Sequence, residues 1–143
     1  MARVQGDGLR ESHPVKIVLA MGCFDPLHIG HVYHLRAAAK LGKLCVAINT
    51  DASINKGPYR PAFPQAERLD MIKELRCVSW AGLFDGWRQA MEEIKPDIYA
   101  VNEDGHREEK RAYCEEHGIE YLVLKRTPKE GLAKRSSTEL RGF

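Results

Sequence analysis

Residues 22–31 read Gly22-Cys23-Phe24-Asp25-Pro26-Leu27-His28-Ile29-Gly30-His31, and they place two histidines and a glycine between an apolar run and a stretch with helical spacing. The imidazoles therefore stand where a strand gives way to a helix. That junction suits a phosphate. A helix N-terminus offers N–H groups without intrahelical partners and the positive end of the helix dipole, and Gly30 lets an anion approach the backbone. His28 and His31 can donate to phosphate oxygens. A metal site over His28, His31 and His34 is the competing chemistry. It is the poorer fit, because three-residue steps drift around a helix and no acidic or cysteine residue has ligand spacing. No protein metal ligands are expected.

An alternating α/β chain would position these residues. Val15 to Met21 is an expected first strand, and His31 to Lys40 a helix with Val32, Leu35 and Ala39 on one side, closed by Gly42. Leu44 to Asn49 is a second strand, and after a Gly/Pro-containing loop Pro64 starts a helix carrying Leu69, Ile72 and Leu75. Further strands are expected at Val78 to Phe84, Asp97 to Val101 and Ile119 to Leu124. Helices lie between them, one marked by Trp87, Ala90, Met91 and Ile94 and stopped by Pro96, the other running from Glu108 to Glu116 and ended by Gly118. Ser136 with Glu139 forms a capping box before a last short helix. Strands alternating with helices imply a Rossmann-like five-stranded parallel sheet with helices on both faces and right-handed crossovers. Ligands in such sheets bind beyond the strand C-termini, at the switch in strand order. The loops after Met21, Asn49, Val101 and Leu124 are therefore the ones that matter.

Composition sets outer limits. The 143 residues, 43% of them hydrophobic, are enough for one domain with one core, preceded by a polar lead-in at residues 1–14. Lys+Arg 22 against Asp+Glu 20 leaves a net charge of +2, too balanced for a nucleic-acid coat or a polybasic membrane anchor. The opening residues lack the apolar run of a signal peptide and no later stretch has the length of a membrane span, so a cytoplasmic protein is expected. Cys23, Cys45, Cys77 and Cys114 form no CxxC pair, which argues against a disulfide framework or a thiolate zinc site.

The ten-residue segment also resembles a known family. G-x-F-D-x-x-H-x-G-H is the hallmark of cytidylyltransferase-like nucleotidyltransferases, and GCFDPLHIGH fills each defining position. The resemblance extends over nearly the whole chain after Val15. Asn49-Thr50-Asp51, Lys56-Gly57-Pro58-Tyr59-Arg60-Pro61 and Glu67-Arg68 match the strand end, lysine-bearing loop and helix opening of glycerol-phosphate cytidylyltransferases and heptose-phosphate adenylyltransferases. Asn102-Glu103-Asp104-Gly105 and the segments Arg126 to Gly131 and Arg135 to Thr138 match later family elements, the last pair split by an insertion.

The resemblance implies that residues 15–143 form a single nucleotidyltransferase domain. The family reaction is in-line attack by a substrate phosphate on the α-phosphorus of a nucleoside triphosphate, with pyrophosphate leaving. A phosphate monoester, with a second pKa of about 6, needs no strong base at neutral pH. Catalysis should then rest on positioning and on cations facing the developing charge. On this reading His28, His31 and Lys56 are catalytic. Cys23, Phe24, Gly30, Asp104, Arg126, Arg135, Ser136, Ser137 and Thr138 join the histidines around the nucleotide, while Asp25, Lys56, Arg60 and Arg68 meet the acceptor. Mg²⁺ is expected with the nucleotide, and a homodimer is a family expectation. Without the resemblance, Lys56 and Arg60 could be solvated loop charges, Arg68 a helix-surface charge or salt-bridge partner, Ser136 an N-cap, and the run from His106 to Arg111 a solvated helix face.

CTP is the preferred nucleotide, because Arg126-Thr127 with Glu130-Gly131 and Ser-Ser-Thr leans towards cytidylyltransferases. Lys56-Gly57 with Arg60-Pro61 leans instead towards adenylyltransferases, so ATP with a sugar phosphate or FMN is the alternative. Glycerol 3-phosphate is a poor acceptor candidate, because Ala90 stands where the glycerol-phosphate enzymes carry a lysine, which leaves a sugar phosphate, another phospho-alcohol, a phosphonate or FMN. A nucleotide-binding regulatory module without turnover is the alternative from another class.

Overall fold

The computed structural model describes residues 15–125. The polar lead-in, Arg126, Arg135, Ser136, Ser137, Thr138 and the expected last helix lie outside the described residues. β1 (Ile17–Gly22), α1 (Ile29–Ala39), β2 (Lys43–Asn49), α2 (Gln65–Lys73), β3 (Trp80–Phe84), α3 (Trp87–Ile94), β4 (Ile98–Asn102), α4 (Glu108–His117) and β5 (Glu120–Leu124) follow in chain order. Single 3-10 turns at Asp51–Ser53 and Glu103–Gly105 continue β2 and β4. The five strands are all parallel in the order β3-β2-β1-β4-β5. The switch in order lies between β1 and β4, so the loops leaving these two strands diverge and open a crevice at the strand C-termini.

Helices cover both faces, as the alternating sequence implies. On one face Val18, Ala20, Leu44, Val46, Ile48, Ile98 and Ala100 pack against Leu35 and Ala38 of α1 and Ile72 of α2. On the other, Ile17, Leu19, Cys45, Ala47, Tyr99 and Val101 meet Ala90, Met91 and Ile94 of α3 and Cys114 of α4. Leu44 through Ile48 are all fully buried, the uninterrupted apolar run that a central parallel strand requires. Among the described residues no helix is long and apolar enough to cross a membrane.

Local chemistry moves some boundaries. α1 begins at Ile29, two residues earlier than the periodicity alone indicates, because His28 caps it. Its buried residues are Leu35 and Ala38, rather than Val32 and Ala39. β3 starts at Trp80 because Val78 still closes a turn onto Leu75, its N–H donating to the Leu75 carbonyl at 3.1 Å. Gly118, at φ 68°, ends α4 in the left-handed region, and α3 ends at Lys95, also left-handed, just ahead of Pro96. Gly42 serves a purpose other than helix closure: a Cβ there would collide with the Lys16 carbonyl, so the chain entering β2 passes too close to β1 for any side chain.

Candidate active site

The loop from β1 to α1 is organised by its own histidines. The Gly30 N–H donates to Nδ1 of His28 at 3.1 Å, and the His28 N–H donates to Nδ1 of His31 at 3.1 Å. The rings stack at 3.8 Å between centroids. Each Nδ1 therefore accepts a hydrogen bond, which in the neutral ring fixes the hydrogen on Nε2. A side-chain cap of this kind satisfies donors at the helix start while keeping the imidazoles at the positive end of α1. Both histidines are half-buried, and Gly30 lies between them as the sequence requires.

Phe24 braces this arrangement from below. Its ring is buried, meets His31 edge-on at 5.1 Å between centroids, and fills the space above Gly22, where a Cβ would lie 3.1 Å from Cζ. Phe24 holds φ at 51°, a left-handed conformation that costs a non-glycine residue about 1–2 kcal/mol and persists because the buried ring over-determines it. Phe24 therefore supports the site from inside the core. The Cys23 thiol donates to Oδ1 of Asn49 at 3.6 Å, which links the ends of β1 and β2.

Three residues expected at the acceptor, Asp25, Arg60 and Arg68, are turned inward. Asp25 is fully buried, and its carboxylate accepts from Nε of Arg60 at 3.0 Å and from the N–H groups of Ala62 and Phe63, each at 2.9 Å. Burial alone would raise its pKa, but these donors and the Arg60 charge outweigh it and hold the carboxyl below its usual value. Arg60 also donates from Nη2 to the Asp25 carbonyl at 3.2 Å, and its side chain is 6% exposed. Arg68, on α2, is fully buried. Its guanidinium donates to the carbonyls of Phe63 at 2.8 Å, Cys23 at 2.9 Å and Asn49 at 2.8 Å, and to Oδ1 of Asp51 at 2.6 Å. Asp25, Arg60 and Arg68 thus join the loop after β1 to the long loop after β2. Of the two simpler readings of Arg68, the salt-bridge partner is the correct one. The residues that sequence reasoning missed are its acceptors: Asp51 is visible as a charge, but the three carbonyls have no sequence identity.

Lys56 lies exposed on the long loop, near Gly57 at φ 97° and Tyr59 at φ 65°, with Tyr59 80% exposed. The Gln65 side chain accepts from the Asp51 N–H at 2.8 Å, pinning the loop's start to α2.

Across the crevice, β4 runs into the turn that holds Asp104. Asn102 Oδ1 accepts from the Gly105 N–H at 2.7 Å, and the Gly105 carbonyl accepts from Nζ of Lys110 at 2.7 Å. Asp104 is exposed at the tip of this turn, and its carbonyl accepts from Arg107 at 3.0 Å. Burial followed by repulsion from Arg107 lowers the Lys110 pKa, against an opposing pull from Glu109. His106 bonds through Nδ1 to the Tyr121 hydroxyl at 2.8 Å and through Nε2 to Glu108 at 3.1 Å. The run from His106 to Arg111 is therefore partly engaged in shaping the turn, rather than a wholly solvated face.

Among the described residues no group of three or more His, Cys, Asp or Glu side chains could hold a metal ion. All four cysteines are thiols, and burial pushes those of Cys45 and Cys114 up to about 11.

A family model described as cytidylyltransferase-like matches residues 19–143, which spans the histidine segment, both flanking loops and the C-terminal residues beyond the described part. The bifunctional protein HldE of Hahella chejuensis is 42% identical over 68% of this chain and 22% of that protein. HldE of Aeromonas hydrophila is 41% identical over 76% of this chain and 24% of its own length. The chain thus spans less than a quarter of these curated relatives. The crystal structure of a lipopolysaccharide core biosynthesis protein from Thermoplasma volcanium superposes with a TM-score of 0.69 at 30% identity, covering 81% of this chain and 99% of that one. Pantothenate synthetase from Thermus thermophilus, at 15% identity and a TM-score of 0.62, covers 98% of this chain and 67% of its own, and shares the fold. With a matching family model over most of its length and the GCFDPLHIGH loop capping α1 at the sheet's switch point, the chain belongs to the cytidylyltransferase-like family of nucleotidyltransferases.

Proposed function

We propose that the protein transfers an adenylyl group from ATP to a sugar phosphate and releases pyrophosphate. The observation that carries the transfer chemistry is the stacked pair His28 and His31 at the start of α1, whose Nδ1 atoms accept backbone N–H groups and so leave the hydrogen of each neutral ring on Nε2. A sugar phosphate oxygen attacks the α-phosphorus, the bond from that phosphorus to the bridging oxygen breaks, and pyrophosphate leaves with the electron pair. The imidazoles stabilise charge developing on the α-phosphate, a task worth about 10²–10³ in rate per well-placed donor. Lys56 offsets repulsion between the reacting anions. Mg²⁺ would neutralise charge on the triphosphate, held mainly by phosphate oxygens. Arg126, Arg135, Ser136, Ser137 and Thr138 take the β and γ phosphates, and Asp104 the nucleoside.

The choice of ATP replaces the leaning towards CTP that the C-terminal pattern suggested. Its support is the Lys56-Gly57…Arg60-Pro61 segment, which resembles that of heptose-phosphate adenylyltransferases, together with the likeness to HldE proteins. The likeness to a lipopolysaccharide core biosynthesis protein favours a sugar phosphate over FMN or a phosphonate. We place the reaction in the cytoplasm and assign a homodimer, which light scattering would check.

Pyrophosphate release from ATP and from CTP, each with Mg²⁺ and a panel of sugar phosphates, tests the proposal. Release with ATP and one sugar phosphate is the expected result. Release with CTP alone would restore the cytidylyl reading. Nucleotide binding without release across the panel would favour a regulatory module.

A further inference from the structure

We infer that Asp25 and Arg60 are positioning residues that hold the Lys56 loop closed over the site, and that neither touches substrate. This rests on the reading of Lys56 as a phosphate-contacting cation. The segment between the 3-10 turn at Asp51–Ser53 and α2 carries no helix or strand, and its exposed residues include Asn55, Lys56, Gly57, Pro58 and Tyr59. A loop of this length and composition is costly to order, since each fixed residue loses about 1–2 kcal/mol of backbone freedom. Its returning half is nevertheless fastened, by Arg68 at the Phe63 carbonyl and, on the side of the histidine segment, by Asp25. Both Asp25 oxygens accept from it: Oδ1 from Phe63 at 2.9 Å and Ala62 at 3.1 Å, Oδ2 from Ala62 at 2.9 Å and Arg60 Nε at 3.0 Å.

Asp25 lies three residues before His28 in the same short loop. The fastening therefore fixes the lysine loop against the segment that carries the imidazoles. A carboxylate that is fully buried, facing a guanidinium whose side chain is 6% exposed, has no surface from which to meet an acceptor phosphate. A residue of this kind acts through the population of the closed loop, because apparent turnover scales with the fraction of molecules in the competent state. All of its effect should then pass through Lys56.

Coupling to Lys56 separates this role from direct contact. Turnover and the acceptor KM would be measured with ATP and the active sugar phosphate for K56A, D25N, R60M and the doubles D25N/K56A and R60M/K56A. Folded fractions would be matched by circular dichroism. K56A should lower kcat/KM by about 10²-fold, as loss of a positioned cation does, and D25N and R60M by about 5- to 30-fold. Each double should fall within about twofold of K56A alone, well short of the product of the single effects. Multiplied effects in R60M/K56A would overturn the inference and return Arg60 to the acceptor as a direct contact. Multiplied effects in D25N/K56A would equally overturn the tethering role of Asp25. Should D25N fail to fold, the R60M pair alone decides. K56A with native kcat/KM would refute the catalytic reading of Lys56, a failure distinct from loss of the coupling.

Discussion

Replacing Arg68 with alanine should cost several times the stability lost on removing a surface charge, because the residue lies next to the site as a buried strut. The guanidinium is fully buried and donates four hydrogen bonds, three of them to carbonyls at the ends of β1, β2 and the long loop. Removing one partner of a buried charged pair costs about 3–5 kcal/mol, and stranded buried acceptors cost about 1–3 kcal/mol each without adding fully. Asp51, whose side chain is 42% exposed, regains water when its partner is lost, which moves the total towards the lower bound. The expected loss is therefore about 3–4 kcal/mol, and about 10 °C in Tm for a domain of this size. Urea denaturation with equal m values in wild type and variant measures it. Lys16→Ala is the internal control, because the Lys16–Glu120 pair spans 3.7 Å with side chains 61% and 50% exposed and should be worth less than about 1 kcal/mol. Arg68→Lys, which keeps the charge with fewer aligned donors, should fall between the two. A loss below about 1.5 kcal/mol for Arg68→Ala, close to that of the surface control, would refute the reasoning that makes Arg68 a buried strut.

His28→Ala and His31→Ala should each lower kcat by about 10²–10³ and, because each also removes an Nδ1 acceptor at the start of α1, lower stability by about 0.5–2 kcal/mol. Pyrophosphate release and urea midpoints measured together check both, and near-native kcat in either variant ends the assignment of that histidine. Stability should be flat near neutral pH and fall once the pH drops below 3.8, the unperturbed carboxyl value, because Asp25 is held below it in the folded state. Asp25→Asn should flatten that acid limb, and an unchanged limb would show that other carboxylates carry it. Cys45 and Cys114 act in the opposite sense: raised from 9.0 to about 11 in the fold, they should erode stability as the pH rises between those values, which alkaline urea midpoints of the serine variants would check.

What could be read from the sequence follows the range of the interactions concerned. The histidine loop closes within four residues: His28, Gly30 and His31 cap the helix they begin, so their identity and spacing carry the whole geometry. The existence and order of strands and helices were legible too, because the burial of Leu44 to Ile48 is written as an apolar run and that of Ala90, Met91 and Ile94 as a helical period in the chain itself. The partners of Asp25 are 35 to 38 residues away, those of Arg68 lie 5 to 45 residues away on three separate segments, and most are backbone groups, which leave no trace in composition or spacing. A charge beside a phosphate-binding motif reads the same whether it neutralises a ligand or a neighbour. Here burial decides between the two. An ion with no exposed surface must be balanced within the protein. An anionic reactant needs cations that remain accessible, a condition met by Lys56 and by the half-buried imidazoles but not by Arg60 or Arg68. The inward charges therefore belong to the mechanism as the frame that sets the distance between Lys56 and the histidines, and substitutions there should act on reaction rate through that distance.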